Sequence, residues 1–307
     1  MRNAFARVMT ELAQERSDVC LLSGDIGNRM FDRYKEVAPT RFLNCGIAEA
    51  NMMSMAAGMA LSGLRPVVYT ITPFTTTRCF EQIRVGVAYH QAPVVIVGTG
   101  SGLSYAELGS THHSLEDMAI LRTLPSINVV APSDSLEFVA HLREALKIDI
   151  PTYIRIGKKG EPSLHTESST LAIGKANLLR DGTDILLLGV GPILGEALMA
   201  ADSLASKGLS VAIASMGGVK PLDHEFLELM SKRFAKWVTL EEHGIIGGLG
   251  SVILEWCADN SIQHISLSRL GTPDSFLHEL GNQSYIRENL KLDSAGLAST
   301  LAKLLGH

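Results

Sequence analysis

Arg41-Phe42-Leu43-Asn44-Cys45-Gly46-Ile47-Ala48-Glu49-Ala50-Asn51 couples a short apolar strand to a helix through a glycine turn, a step that belongs to α/β folds. Gly46 suits a backbone turning sharply out of a strand, and Glu49 in the first helical turn complements the positive end of the helix dipole. From Asn51 to Leu61 the helix carries no charge at all. An acid at the mouth of so apolar a helix is expected to be partly desolvated, which makes it a functional-site candidate. Taken alone, Glu49 reads better as a simple helix-start acid, so its meaning depends on the rest of the chain.

Outward from this step, strands and helices alternate. Phe5, Val8, Met9 and Leu12 recur at helical spacing. Val19-Cys20-Leu21-Leu22 reads as a buried strand that ends in Ser23-Gly24-Asp25-Ile26-Gly27-Asn28. Further strands are expected at 65–71, 93–98, 127–130 and 151–156, with helices from Phe74 to Tyr89, over 115–123 and from Ser133. That order predicts a mainly parallel sheet covered on both faces. Residues 157–171 are polar and without periodicity, and read as a linker. A second α/β pattern follows, with strands at 184–189, 209–215, 236–240 and 262–267. The tail 284–305 reads as helix, with Asp293 or Ser294 as its N-cap. Two α/β domains are expected, 1–160 and 161–307.

Composition narrows the class. The 307 residues are 46% hydrophobic and 19% charged, with a net charge of −5, an ordinary globular balance. Acids and bases are interspersed and no basic stripe appears, which argues against a nucleic-acid partner. Cys20, Cys45, Cys79 and Cys257 lie far apart without zinc spacing, as expected of reduced thiols in a cytoplasmic protein. No apolar run reaches membrane-spanning length and the N-terminus lacks an apolar leader core, so no membrane association is expected.

Chemistry-bearing residues fall in loops that an open α/β sheet gathers at the carboxyl ends of its strands. They are Asp25, Glu49 and the Thr111-His112-His113 stretch, with Phe74 and Phe80 placed to lay aromatic rings over a planar ligand. Each has a plainer reading: Asp25 as a helix cap, the histidines as loop polarity, the phenylalanines as core. No third ligand at zinc spacing accompanies the histidines. Neither a GxGxxG fingerprint nor a Walker-type loop is present, so the first domain is expected to hold an uncharged aromatic ligand and to leave phosphates to a site elsewhere.

With these features in order, the whole chain resembles the C-terminal half of transketolase, its pyrimidine-binding domain followed by its C-terminal domain. It is also similar to 1-deoxyxylulose-5-phosphate synthase and to the β subunit of 2-oxo-acid dehydrogenases. The likeness rests on Gly46-Ile47-Ala48-Glu49, Gly109-Ser110-Thr111-His112, Pro151-Thr152-Tyr153-Ile154-Arg155, Lys220-Pro221-Leu222-Asp223, and Glu241 through Ser251 (EEHGIIGGLGS). It implies thiamine diphosphate as cofactor, with Glu49 hydrogen-bonding the pyrimidine N1′ and Asp25, Phe74 and Phe80 near the ring. It implies His112 as acid/base or electrostatic stabiliser toward the substrate, His113 as a weaker candidate, and Arg155 clamping the substrate's acidic end. Arg29 stands where transketolases tend to carry a small polar residue near the substrate phosphate. Leu108 replaces an acid, with Glu107 beside it, and Gly100 and Ser101 replace a basic or histidine contact.

The family's GDG…N motif for diphosphate and Mg²⁺ (or Ca²⁺) does not occur. By resemblance, an N-terminal transketolase subunit carrying GDG…N supplies it, in an α2β2 heterotetramer, and Met52, Met53 and Met55 are expected to offer apolar surface to that assembly. The expected activity is transfer of a two-carbon ketol unit from a ketose, as a sugar phosphate or related acidic sugar, to an aldose. The alternatives are a subunit acting on pyruvate or another 2-oxo acid, and a non-catalytic assembly partner.

Overall fold

A computed structural model describes residues 1–27, 29–279 and 281–307. Asn28, quoted above with Ser23 through Gly27, lies outside the described residues. Seven strands form the first sheet: β1 (Val19–Ser23), β2 (Phe42–Asn44), β3 (Arg65–Ile71), β4 (Val95–Thr99), β5 (Asn128–Val130), β6 (Thr152–Ile156) and β10 (Gly218–Lys220), in the order β10-β5-β6-β4-β3-β1-β2. Five form the second: β7 (Asn177–Arg180), β8 (Ile185–Gly189), β9 (Val211–Ser215), β11 (Lys236–Gly244) and β12 (Ser266–Thr272), in the order β12-β11-β8-β9-β7. All pairings are parallel except β10 with β5 and β7 with β9. The α/β class with mainly parallel sheets is therefore present in both halves.

Side-chain alternation along the strands distributes the core. Val19, Leu21, Val67 and Tyr69 face one layer, with Phe5 and Val8 of the helix Arg2–Glu15 and Phe138 and Leu142 of the helix Ser135–Ala145. Cys20, Leu22 and Val68 face the other, against Met52, Met53 and Ala56 of the helix Glu49–Leu61. That second layer continues without a break into Leu186, Trp237 and Ile253 on one face of the second sheet. Met52 and Met53 are thus fully buried within this chain, contrary to the expectation that they offer assembly surface. Exposed apolar groups on the same helix and its surroundings are instead Ile47, Leu61 and Tyr89.

Three local expectations change. The helix expected from Phe74 to Tyr89 is broken into a turn at Thr72–Thr75, a 3₁₀ turn at Thr77–Cys79 and a π-helix at Gln82–Tyr89. Thr76 and Thr77 hydroxyls donate to the carbonyls of Thr72 and Pro73 at the break, competing with the helical ladder. The tail divides into Gln283–Asn289 and Ser294–Leu305, the second capped by Asp293, whose carboxylate accepts from the Gly296 amide. Residues 157–171 are not merely a spacer, since His165 is buried and both Leu164 and His165 donate their amides to Asp134. β7, β10 and the short helix Asp32–Val37 have no counterpart in the sequence reading; each is too brief to impose a periodicity.

Candidate active site

The carboxyl ends of β1, β2, β3, β4 and β6 open on one rim, and the residues singled out above meet there or just beneath it. Asp25 follows β1 with φ 55° and accepts from Asn44 Nδ2 at 2.9 Å, while the Asn44 side-chain oxygen accepts the Gly46 amide at 3.0 Å. Asp25 therefore ties the β1 loop to the β2 turn and caps no helix. Arg29, in the same loop, is exposed with φ 61°.

Glu49 opens its helix at 3% exposure. Its Oε1 accepts from Arg78 Nη1 at 2.9 Å, and the Arg78 guanidinium carbon stands 3.9 Å from the centre of the Phe74 ring. One planar cation thus touches both the acid and the aromatic assigned to the pyrimidine. Phe74 in turn meets the His112 ring edge-on at 5.4 Å, and Tyr105 lies 5.9 Å from that imidazole on another side. Phe80 is half-buried and packs on the layer of Met52 and Met53.

His112 is partly exposed, with Nδ1 2.9 Å from the Thr111 hydroxyl. Partial burial lowers its pKa, and the nearby charges of Arg78 and His113 push the same way. It is therefore held neutral and able to accept a proton. His113 turns inward, its Nε2 within 3.2 Å of the Ala106 carbonyl.

Arg155 lies below the rim rather than on it. At 4% exposure, its Nε donates to Asp117 Oδ2 at 2.8 Å and its Nη2 to the carbonyls of Ser114 and Glu242, both at 2.8 Å. Two of its three nitrogens are thus taken by protein. Burial works to raise the Asp117 pKa, but the Arg155 charge and hydrogen bond, with Tyr153 also donating at 2.6 Å, hold it lowered. Three residues on, Lys158 carries its ammonium over the Tyr105 ring at 4.5 Å, on the His112 side of the rim. The sequence reading placed Lys158 in a linker. Its position directly after a strand that already carries Arg155 was the available signal.

The rim is shaped by close approaches. A Cβ at Gly100 would meet the Tyr105 ring at 1.9 Å, so the space that a basic or histidine side chain would take there is filled by this tyrosine. Beneath it the EEHG stretch of β11 docks: Glu242 Oε1 accepts the Leu103 amide at 2.6 Å, and its carboxylate also takes Arg287 Nε at 2.5 Å. Glu241 accepts the amides of Leu249 and Gly250 at 2.7 and 2.9 Å, at the start of the helix Leu249–Asp259. Burial raises its pKa to about 7 despite those two bonds. Gly248 is needed there, since a Cβ would lie 1.9 Å from the Glu241 oxygen. Among the described residues no group of three or more His, Cys, Asp or Glu is arranged to hold a metal ion.

Residues 1–161 match the transketolase pyrimidine binding domain, and residues 174–289 match the transketolase C-terminal domain. The chain belongs to the transketolase family. A protein of Phocaeicola vulgatus named as one of the subunits of apulose-4-phosphate transketolase is 32% identical over 302 residues, covering 97% of this chain and 95% of that protein. The 6-deoxy-6-sulfo-D-fructose transketolase subunit SqwH of a Clostridium species is 33% identical, covering 95% and 90%. A split-gene transketolase solved as an inactive β4 tetramer superposes with a TM-score of 0.89 at 30% identity, over 99% of this chain and 97% of that one. Similarity extends to 1-deoxy-D-xylulose-5-phosphate synthase of Heliobacterium modesticaldum, 35% identical over 268 residues, of which this chain spans 41%. For a transketolase-family chain, the Glu49–Phe74–His112 rim sits in the part matched as pyrimidine-binding. The residues that the resemblance did not supply are Arg78, Tyr105 and Lys158.

Proposed function

We propose that this chain is the C-terminal subunit of a split, cytoplasmic transketolase, with residues 1–160 as its pyrimidine-binding domain and 161–307 as its C-terminal domain. It moves a two-carbon ketol unit from an acidic ketose to an aldose. Thiamine diphosphate, when bound, supplies the nucleophilic carbon of its thiazolium ring. The partner is an N-terminal subunit with the GDG…N motif that holds the diphosphate and Mg²⁺ (or Ca²⁺), in an α2β2 heterotetramer. Full-length similarity to relatives named as subunits supports that division.

The observation that carries the reading is the convergence of a nearly buried carboxyl, an aromatic face and a neutral imidazole on one rim. This donor set fits a planar, nitrogen-edged ring: Phe74 offers a face, and Glu49 a hydrogen bond at the edge. Asp25 and Phe80 are assigned to the surroundings of the ring. His112, kept neutral, is assigned to the substrate hydroxyls, where it takes or returns a proton, with His113 behind it.

The anionic end of the substrate is assigned to Lys158 together with the remaining nitrogen of Arg155, and Arg29 to the outer rim. Lys158 is a point charge without a fork, which suits phosphate and sulfonate alike.

A second reading, a subunit acting on pyruvate or another 2-oxo acid, is favoured by the synthase similarity. Reconstitution with the partner separates them: ketose plus aldose is expected to turn over, and consumption of pyruvate alone defeats the first reading. A Glu49→Ala variant with unchanged turnover would instead point to a non-catalytic subunit.

A further inference from the structure

We infer that Arg78 lies in the slot assigned to the pyrimidine as an internal competitor of the ring, and that it must swing out for the cofactor to seat. The inference rests on the reading of Glu49 and Phe74 given above and adds a competitor to it.

A guanidinium is a flat N–C–N fork. Arg78 lays that plane against Phe74, with its carbon 3.9 Å from the ring centre, and points one nitrogen at Glu49, 2.9 Å away. An aminopyrimidine presents an N–C–N edge of the same shape, and stacked on Phe74 at van der Waals separation it would fill the volume in which the guanidinium now lies. The two cannot share the slot.

The pairing also has a reason of its own. Glu49 is 3% exposed, and a buried carboxylate without a partner is unfavourable. Arg78 is 44% exposed on its side chain, so it reaches in from the surface and has a path back out to water. Its backbone helps, because Thr77–Cys79 is a separate 3₁₀ turn, with Thr76 at φ −117° and ψ −85° between it and the turn that carries Phe74. Four residues apart, positions 74 and 78 fall on one side of the chain, and the guanidinium lies over the Phe74 ring.

The test is calorimetric titration of thiamine diphosphate with Mg²⁺ into the partner-reconstituted complex stripped of cofactor, comparing wild type, Arg78→Ala and Glu49→Gln. Arg78→Ala is expected to tighten binding about tenfold, corresponding to removal of a competing contact worth about 1.4 kcal/mol, and Glu49→Gln to weaken it. If Arg78→Ala binds equally or more weakly while Glu49→Gln is impaired, the competition is overturned and the Glu49 assignment survives. If Glu49→Gln binds as wild type does, the Glu49 assignment itself fails.

A second measurement needs no partner. Methylguanidinium chloride at tens of millimolar is expected to raise the unfolding temperature of the full Arg78→Ala chain above a sodium chloride control. It should do so neither for wild type nor for the Arg78→Ala/Glu49→Gln double variant. Equal responses in all three chains overturn the inference.

Discussion

In the proposed function Glu49, His112 and Lys158 are each assigned one charge or proton, so single substitutions separate their roles. Glu49→Gln keeps the shape of the side chain but cannot supply the carboxyl chemistry, and kcat of the reconstituted enzyme is expected to fall roughly 10²–10⁴-fold, the usual range for a lost acid–base partner. Stopped assays of ketose donor turnover measure this. Lys158→Ala is expected to raise KM for an acidic-ended sugar while leaving KM for its neutral analogue unchanged. A parallel rise for both would remove Lys158 from the anion contact. Of this site, Glu49, Phe74 and His112 were legible in the sequence because each sits in a motif or at a strand exit. Arg78 was not, since an arginine in a helical stretch reads as a solvated surface charge until Glu49, 29 residues earlier, is seen beside it.

Strand β10 is one of the elements that join the two halves. By sequence it belongs with the second domain, yet its antiparallel pairing with β5 stitches it to the edge of the first sheet. Gly218 lets the strands approach, because a Cβ there would stand 2.6 Å from the Val129 carbonyl oxygen and 2.7 Å from the Val130 Cα. Both obstacles are backbone, so Gly218→Ala is expected to destabilise the chain by about 1–3 kcal/mol, as overpacking does, read as a shift of the urea midpoint. At the other end of the chain, Asp293 caps Ser294–Leu305 through the Gly296 amide at 3.1 Å. Asp293→Ala should cost about 1 kcal/mol in the same measurement. The cap was readable from the Asp-Ser pair before an apolar run. A short strand crossing between domains was not, because its partner lies far earlier in the chain and only the assembled sheet edge defines it.

At the scale of the whole molecule, buried titratable groups lie where the halves meet. His243 is buried on β11, its Nδ1 2.8 Å from the Gly244 carbonyl and its Nε2 3.4 Å from the Ala119 amide. One nitrogen lies at a carbonyl and the other faces a donor, an arrangement that suits neutral imidazole. Burial lowers its pKa to about 4, with the Arg155 charge helping and Asp117 opposing. Between that value and the ordinary 6.5, the unfolded chain binds a proton that the folded chain refuses. Stability from His243 is therefore present above about 6.5 and lost as pH falls toward about 4, by about 3 kcal/mol in full. Glu241, 3.7 Å away and raised to about 7, has the opposite slope: its contribution is present below about 4.5 and lost as pH rises through 7. His243→Gln is thus expected to make the pH dependence of stability between pH 4 and 6.5 less positive by about one proton. Urea unfolding across that range checks it, and an unchanged slope would count against a neutral His243.

Alternating apolar strands and helices, the acid at the mouth of an uncharged helix and the glycine-spaced EEHGIIGGLGS run were fixed locally. Periodicity and turn chemistry act over a few residues, so the sequence by itself determined two α/β units, most of their strands and the exits that carry Asp25, Glu49 and His112. Only the tertiary structure decided which charges meet. It set Arg78 against Glu49, drew Arg155 down into a joint with Asp117 and the Glu242 carbonyl, and left Lys158 on the rim. It also buried Met52 and Met53 and exposed Ile47 and Tyr89. The physical reason is range: hydrogen bonds and ion pairs between distant segments depend on how sheets stack and where loops land, and no local preference of the chain encodes that partner choice.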